Sequence, residues 1–297
     1  VSVTFDGTTL DLEITGTKLI FFDLDGTRFS ISTPTPPNHI IRSNHFFNYP
    51  SPTLNTTGTS GADGRRDNSF ETIRIGNACN AHKSTNVIVE DNYFFRCDGE
   101  DEIVSVKTTD GIFRNNTFVE CRGTLSLRQG ESSDIYGNCF IGNDQTMTGG
   151  VRIFDQGHRV YNNYFQTLTN AKLNNPTTTR ESLAAMAIGC GSGNPDSDPE
   201  GHDQVRDLFV AHNSFVLNRT ALFVGVQFNS ANQNFPPVDS HITRNLGWGY
   251  AAEILDMKPQ VRPFTGSHPV TGLVWEGNLI SSARSLSDFT RQGKMLE

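Results

Sequence analysis

The sequence predicts an all-β chain wound as a parallel β-helix, a β-solenoid whose functional groups lie on an outer lateral surface. Two observations carry that prediction. The first is an Asn followed two residues later by Phe or another apolar residue. It occurs at Asn44-His45-Phe46, Asn92-Tyr93-Phe94, Asn116-Thr117-Phe118, Asn138-Cys139-Phe140, Asn163-Tyr164-Phe165 and Asn213-Ser214-Phe215, with weaker echoes at Asn245-Leu246 and Asn278-Leu279. The gaps between these Asn residues are 48, 24, 22, 25, 50, 32 and 33, mostly one or two units of about 24 plus insertions, and self-similarity at such a period marks a repeat architecture. The second observation is that the runs before each Asn, such as Val87 to Val89, Ile112-Phe113 and Leu208 to Val210, are short and β-type without helical period, which selects strands over helical repeats. The composition agrees, with 35% hydrophobic residues, 27 Gly and 21 Phe, as a turn-rich β fold requires. The whole chain, 1–297, is expected to form one such domain.

Taken in order, the first chemistry-like segment is Phe22-Asp23-Leu24-Asp25-Gly26-Thr27. It matches the DxDGT signature of haloacid-dehalogenase-type phosphatases, in which the first Asp is a nucleophile on a loop after a parallel strand. The adjoining segment, Arg28 to Pro37, contains no helix and leads into no α/β alternation, so the motif is expected to be a β-helix corner. Stretches of roughly Asn48 to Asn68, Cys79 to Thr85 and Thr169 to His202 break the period and are rich in Gly, Pro, Ser, Thr and Asn. They read either as loops walling a groove or as plain surface excursions.

Four short segments end in a cation: Glu71-Thr72-Ile73-Arg74, Val104-Ser105-Val106-Lys107, Leu125-Ser126-Leu127-Arg128 and Gly149-Gly150-Val151-Arg152. Because strand side chains alternate faces, each apolar residue points inward and the following cation outward. One coil per segment would stack the four cations in a column about 4.8 Å apart, a repulsive arrangement unless something anionic lies across it. Just before Lys107 sits Asp98-Gly99-Glu100-Asp101-Glu102, four carboxylates in five residues. Glu100 and Glu102 share a face if extended, which suits a hard cation with oxygen ligands. Val104 and Val106 have their parity, so the chain must bend near Ile103 for the carboxylates to reach the cations. A solvated acidic turn is the plainer reading of such a cluster, and its place beside the cations favours the metal.

The net charge of −8 excludes general nucleic-acid binding, which needs a basic surface. No apolar run approaches the roughly 20 residues that cross a bilayer, so a soluble protein with no membrane partner is expected. The chain begins with neither Met nor a charged-then-apolar leader, as a mature form or a fragment would. Its five cysteines have no metal spacing. Cys97 and Cys121 each follow a repeated Asn by five residues and should stack in adjacent coils as reduced core residues, although an inter-coil disulfide would also fit. The eight histidines show no ligand pairing, so a zinc enzyme is unsupported.

The run from Asn92 to Lys107, together with Arg128-Gln129-Gly130 and Ile141-Gly142-Asn143-Asp144, resembles polysaccharide lyase family six, which comprises chondroitinase B and related alginate lyases. Glu71-Thr72-Ile73-Arg74-Ile75-Gly76 and Gly149-Gly150-Val151-Arg152 extend the resemblance, which is dense from about Asn68 to Phe165 and weak elsewhere. It implies a right-handed parallel β-helix, with N-terminal coils short for the family, as in a truncated chain. It also implies Lys107 and Arg128 as the catalytic pair, Glu100, Glu102 and Asn68 as ligands of a calcium ion, and Arg74 and Arg152 as arginines that hold substrate. Gln129 stands where the family often has His after the catalytic Arg, and is read as a substrate-binding position that bears on preference and on auxiliary proton transfer.

The activity so implied is that of an alginate lyase of the poly(β-D-mannuronate) lyase type, acting on an acidic polysaccharide in a secreted or periplasmic setting. Calcium would neutralise a uronate carboxylate, Lys107 would be the base, and Arg128 would stabilise charge near the departing oxygen. A glycosaminoglycan lyase of the chondroitinase B type and a non-catalytic carbohydrate-binding β-helix are the alternatives. The first would want extra basic groups for a sulfated polymer. The second has no need of a Lys and an Arg one coil apart beside carboxylates.

Overall fold

The computed structural model describes residues 13–15, 18–20, 29–31, 38–48, 71–78, 81–172, 176–177, 179–192, 201–226, 233–249 and 271–282. Among them the strands form three parallel sheets of nine, nine and seven strands, joined by turns and bends. Each of the first seven coils contributes one strand to each sheet and the last two contribute described strands to the nine-stranded sheets, and each strand pairs with its counterpart one coil on, as Ile112–Arg114 does with Ile88–Glu90 and Asp134–Tyr136. This is the parallel β-helix that the repeat predicts. The one named element among the described residues that is not a strand is a 3-10 turn, Glu181–Leu183.

The repeated Asn and Phe explain why coils stack in one register. Asn92 Nδ2 donates to Asn116 Oδ1 at 3.0 Å, Asn116 to Asn138 at 3.0 Å, Asn138 to Asn163 at 2.9 Å and Asn163 to Asn213 at 3.0 Å. The same acceptor oxygens take the backbone N–H of the preceding coil's Asn, for example Asn116 N–H on Asn138 Oδ1 at 2.9 Å. The ladder runs from Asn44 to Asn278. Its residues do not themselves adopt a left-handed backbone. The residue before each does, with φ of 54° at Asp91, 55° at Asn115, 67° at Gly137 and 54° at Asn162. The ladder Asn instead supplies the hydrogen bonds that hold the corner closed, offsetting the strain of left-handed non-Gly residues.

Two residues on, the Phe side chains form an internal stack. Phe46, Phe94, Phe118, Phe140, Phe165 and Phe215 follow one another at centroid distances of 4.5 to 5.0 Å. All are buried within one hydrophobic core running the length of the described coils, and each such burial contributes about 1.5–3 kcal/mol. Cys97 and Cys121 lie in adjacent coils as free, buried thiols, with the Cys97 N–H donating to Cys121 Sγ at 3.4 Å. Burial pushes the Cys121 thiol pKa well up, which suits a core role. The DxDGT segment lies outside the described residues, and no described helix is long and apolar enough to cross a membrane.

Candidate active site on the third sheet

The seven-stranded sheet carries all four cation segments, in strands Ile73–Ile75, Glu102–Lys107, Gly123–Gln129 and Thr148–Ile153. Its register corrects the single column expected from sequence. Arg74 pairs with Ser105, Ser105 with Ser126, and Ser126 with Arg152. Lys107 sits two residues further along, opposite Gln129. Arg128 has no opposite number, because Leu127 pairs with Val106 and Gln129 with Lys107, so Arg128 is a bulge residue. The cations therefore occupy two rows separated by serines, and four like charges are not stacked on adjacent strands.

A second irregularity lies at Ile103. Thr124 pairs with Glu102 while Leu125 pairs with Val104, leaving Ile103 unopposed. This is the bend that side-chain parity demands, and it turns Glu102 toward the cations while Val104 and Val106 stay in the core. The acidic run is then divided between two tasks. Asp98 Oδ1 accepts the Arg122 N–H at 2.9 Å and Asp101 pairs with Arg180, so both serve structure. Glu100 and Glu102 instead join Glu71, the three offering carboxylate oxygens within 4.8 Å of one another.

Glu71, Glu100 and Glu102 are only 1%, 3% and 3% exposed. Three buried carboxylates this close repel one another unless cations compensate. Glu102 Oε1 accepts from Arg128 Nη1 at 2.9 Å and from Arg152 Nη2. Its Oε2 is buried without a well-formed hydrogen bond, although the Ser105 hydroxyl is among the groups that favour its ionised form. Burial would raise the Glu102 pKa, but Arg152 and Arg128 outweigh it and hold the carboxyl down at about 2. An all-oxygen donor set that includes the ionised Glu102, with a buried Glu102 oxygen lacking a well-formed hydrogen bond, fits a hard divalent cation such as calcium. Asn68, the remaining ligand implied by the resemblance, lies outside the described residues.

Nothing in the sequence spacing marks Glu71 as a ligand, and the cause is the same two-residue misalignment that produces the single column. With Ile73 opposite Val104, Glu71 and Glu102 each lie two residues before a paired residue, and their carboxylates come within 4.8 Å. Insertions between coils erase that register from the sequence.

Lys107 is 8% exposed. Burial and then the positive charges of Arg128 and Arg74 push its pKa down, against the opposing pull of Glu102 and Glu71. Arg74, half-buried, is oriented by its Nε donating to the Gly76 carbonyl at 3.2 Å and by a contact to Asn77 Oδ1. Arg152 is buried against Glu102. Gln129 is 3% exposed, and its Nε2 donates to the Gly201 carbonyl at 3.0 Å. The long insertion from 169 to 202 thus touches the site at two places, through Arg180 on Asp101 and through Gly201 on Gln129. Both contacts bring it onto the third sheet. The insertion also brings His202 to the two arginines, a residue that no sequence spacing marks.

One lateral sheet of the β-helix thus carries a lysine of lowered pKa, a bulged arginine and a three-carboxylate cluster. A sequence model described as chondroitinase B matches residues 14–293, and the chain belongs to that family, polysaccharide lyase family six. Among solved structures, a mutant of the family-six alginate lyase AlyGC is 25% identical, with a TM-score of 0.67 over 85% of this chain and 31% of that one. A mannuronic-acid-specific family-six lyase from the human gut microbiota is 24% identical, with a TM-score of 0.66 over 98% of this chain and 60% of that one. A family-six alginate lyase in complex with a trisaccharide is 20% identical, with a TM-score of 0.74 over 97% and 60%. This chain spans less than two thirds of each. No curated protein sequence matches it.

Proposed function

We propose that the protein cleaves alginate by β-elimination. The observation that carries the reading is a nearly buried lysine, biased toward its neutral form by Arg128 and Arg74, set beside Glu71, Glu100 and Glu102 on an outward-facing sheet. A 4-linked uronate is eliminated by removing the weakly acidic C5 proton next to its carboxylate. Neutral Lys107 accepts that proton, the C5–H electrons form the C4=C5 double bond, and the C4–O4 bond breaks. Arg128 stabilises the charge that develops, and the departing O4 takes a proton from it or through an ordered water. Arg74 and Arg152 bind neighbouring carboxylates, for which guanidinium forks are suited. Glu71, Glu100 and Glu102, with Asn68, would hold a calcium ion, which when bound neutralises the substrate carboxylate. A polymeric substrate calls for a reaction outside the cytoplasm, in a secreted or periplasmic setting.

The reading is tested with alginate block polymers and dermatan sulfate, by monitoring the ultraviolet absorbance of the new C4=C5 bond and analysing products. Alginate should yield unsaturated oligosaccharides, with the block preference read from the products. Lys107→Ala and Arg128→Ala should each lower the rate at least ~10²-fold while the β-helix stays folded. Reducing ends without ultraviolet absorbance would mean hydrolysis, and near-normal rates in either folded variant would remove these residues from the mechanism.

A further inference from the structure

Four contacts converge on residues 201–204, at the far end of the long insertion. Gln129 Nε2 donates to the Gly201 carbonyl at 3.0 Å. The Ser192 N–H donates to the His202 carbonyl at 2.6 Å. Asp155 Oδ1 accepts the Asp203 N–H at 2.7 Å, and the Asp155 N–H donates to the Asp203 carbonyl at 3.3 Å. Gly191 permits the crossing, since a Cβ there would lie 2.3 Å from the Gln204 nitrogen.

This clamp is costly. Asp155 has a left-handed backbone with φ of 63°, and its carboxyl is nearly fully buried, with burial and Asp203 raising its pKa well above the usual range. Strain and buried carboxyls persist where surrounding structure holds them, and they concentrate at functional sites. What the clamp fixes is one side chain. The His202 ring lies 4.3 Å from the Phe154 ring, centroid to centroid, and Phe154 has the outward parity of Arg152, two residues before it. Phe154 in turn lies over Gly189, where a Cβ would come within 2.3 Å of its ring. Gly189, Phe154 and His202 thus form a platform two residues along the strand direction from Arg152. His202 is only partly buried and close enough to Arg128 and Arg152 for their charges to act on it.

We propose that His202 is a substrate-contacting residue, held by Gln129 and Asp155, that hydrogen-bonds a hydroxyl of the uronate whose carboxylate lies against Arg128 and Arg152. The assignment rests on the lyase reading and adds to it a neutral contact. Burial, with the two guanidinium charges, holds the imidazole pKa down at about 4. One ring N–H is donated to the Gly201 carbonyl, so the neutral imidazole offers its other nitrogen as an acceptor for a sugar hydroxyl. Gln129 is a positioning residue that acts through Gly201.

The experiment uses the Lys107→Ala chain, so that oligouronate binding is measured by calorimetry without turnover. Adding His202→Ala should weaken binding of an alginate oligosaccharide about tenfold, the effect of losing one hydrogen bond. His202→Gln, which keeps a neutral donor and acceptor, should retain most of the affinity. Gln129→Ala should weaken binding similarly, and combining it with His202→Ala should add little, because both act through one contact. Unchanged affinity on His202→Ala, or fully additive losses, would overturn the assignment while leaving the lyase reading intact. Failure of the Lys107→Ala chain to bind any oligouronate, together with no elimination by the unaltered protein, would overturn both.

Discussion

A lysine acts as a base only when neutral, and Lys107 is surrounded by groups that decide its charge. Burial and the Arg128 and Arg74 guanidinium groups disfavour its ammonium form, while Glu102 and Glu71 favour it. Activity should therefore rise with pH through a midpoint below the ordinary lysine range. Arg74→Gln removes one of the repelling charges, so protonated Lys107 becomes less unfavourable and its pKa rises. The acid limb of kcat/KM, which reports the free enzyme, should then move to higher pH. Uronate carboxylates stay ionised throughout that range, so the limb belongs to the protein. A limb that stays put or moves to lower pH would show that Lys107 is not the titrating base. At this scale the sequence marked the residues whose chemistry is conspicuous, Lys107, Arg128 and the Glu100-Glu102 pair. It did not mark Glu71, an ordinary strand-leading Glu until the register of Ile73 with Val104 is known, nor His202, which arrives by an insertion of arbitrary length.

Within a coil, the Asn corner and the Phe two residues beyond it do separable work. Asn138 accepts the N–H and the Nδ2 of Asn116 and donates to the Phe113 carbonyl and to Asn163 Oδ1. Asn138→Ala would leave several buried groups without partners, each costing about 1–3 kcal/mol. Phe140→Ala would open a cavity in the aromatic stack at a cost of about 3–5 kcal/mol. Both substitutions lie away from the third sheet, so denaturant midpoints should fall while kcat and KM of the folded protein stay unchanged. A Phe140→Ala protein that unfolds at the original midpoint would show that the stack does not stabilise the fold. These elements were legible because a ladder Asn and its Phe lie two residues apart in sequence and recur coil after coil. The third-sheet strands were legible only as strands. Bulges at Ile103 and Arg128 shift parity by one residue each, and a shift of one reverses which face a side chain occupies.

Across the whole molecule, the Asn ladder, the Phe stack and three continuous sheets hold the coils together, while the carboxylate cluster occupies one lateral site. Chelating calcium should therefore suppress turnover yet leave the far-ultraviolet β signal in place, with activity restored by adding the ion back. Cooperative unfolding on chelation would assign the cluster a structural role, and full activity in protein shown by elemental analysis to be calcium-free would dismiss the metal from the reaction.

The sequence by itself determined the solenoid, its repeated Asn and Phe and the family, because all of these are written in local spacings and in motif order. Tertiary structure alone decided that the cations form two rows instead of one, that Glu71 completes the carboxylate cluster, and that the long insertion returns to place His202 beside Arg128 and Arg152. The physical reason is that side chains facing one another across neighbouring coils are separated by loops whose length carries no register. Only hydrogen-bonded pairing of the strands fixes which residue meets which.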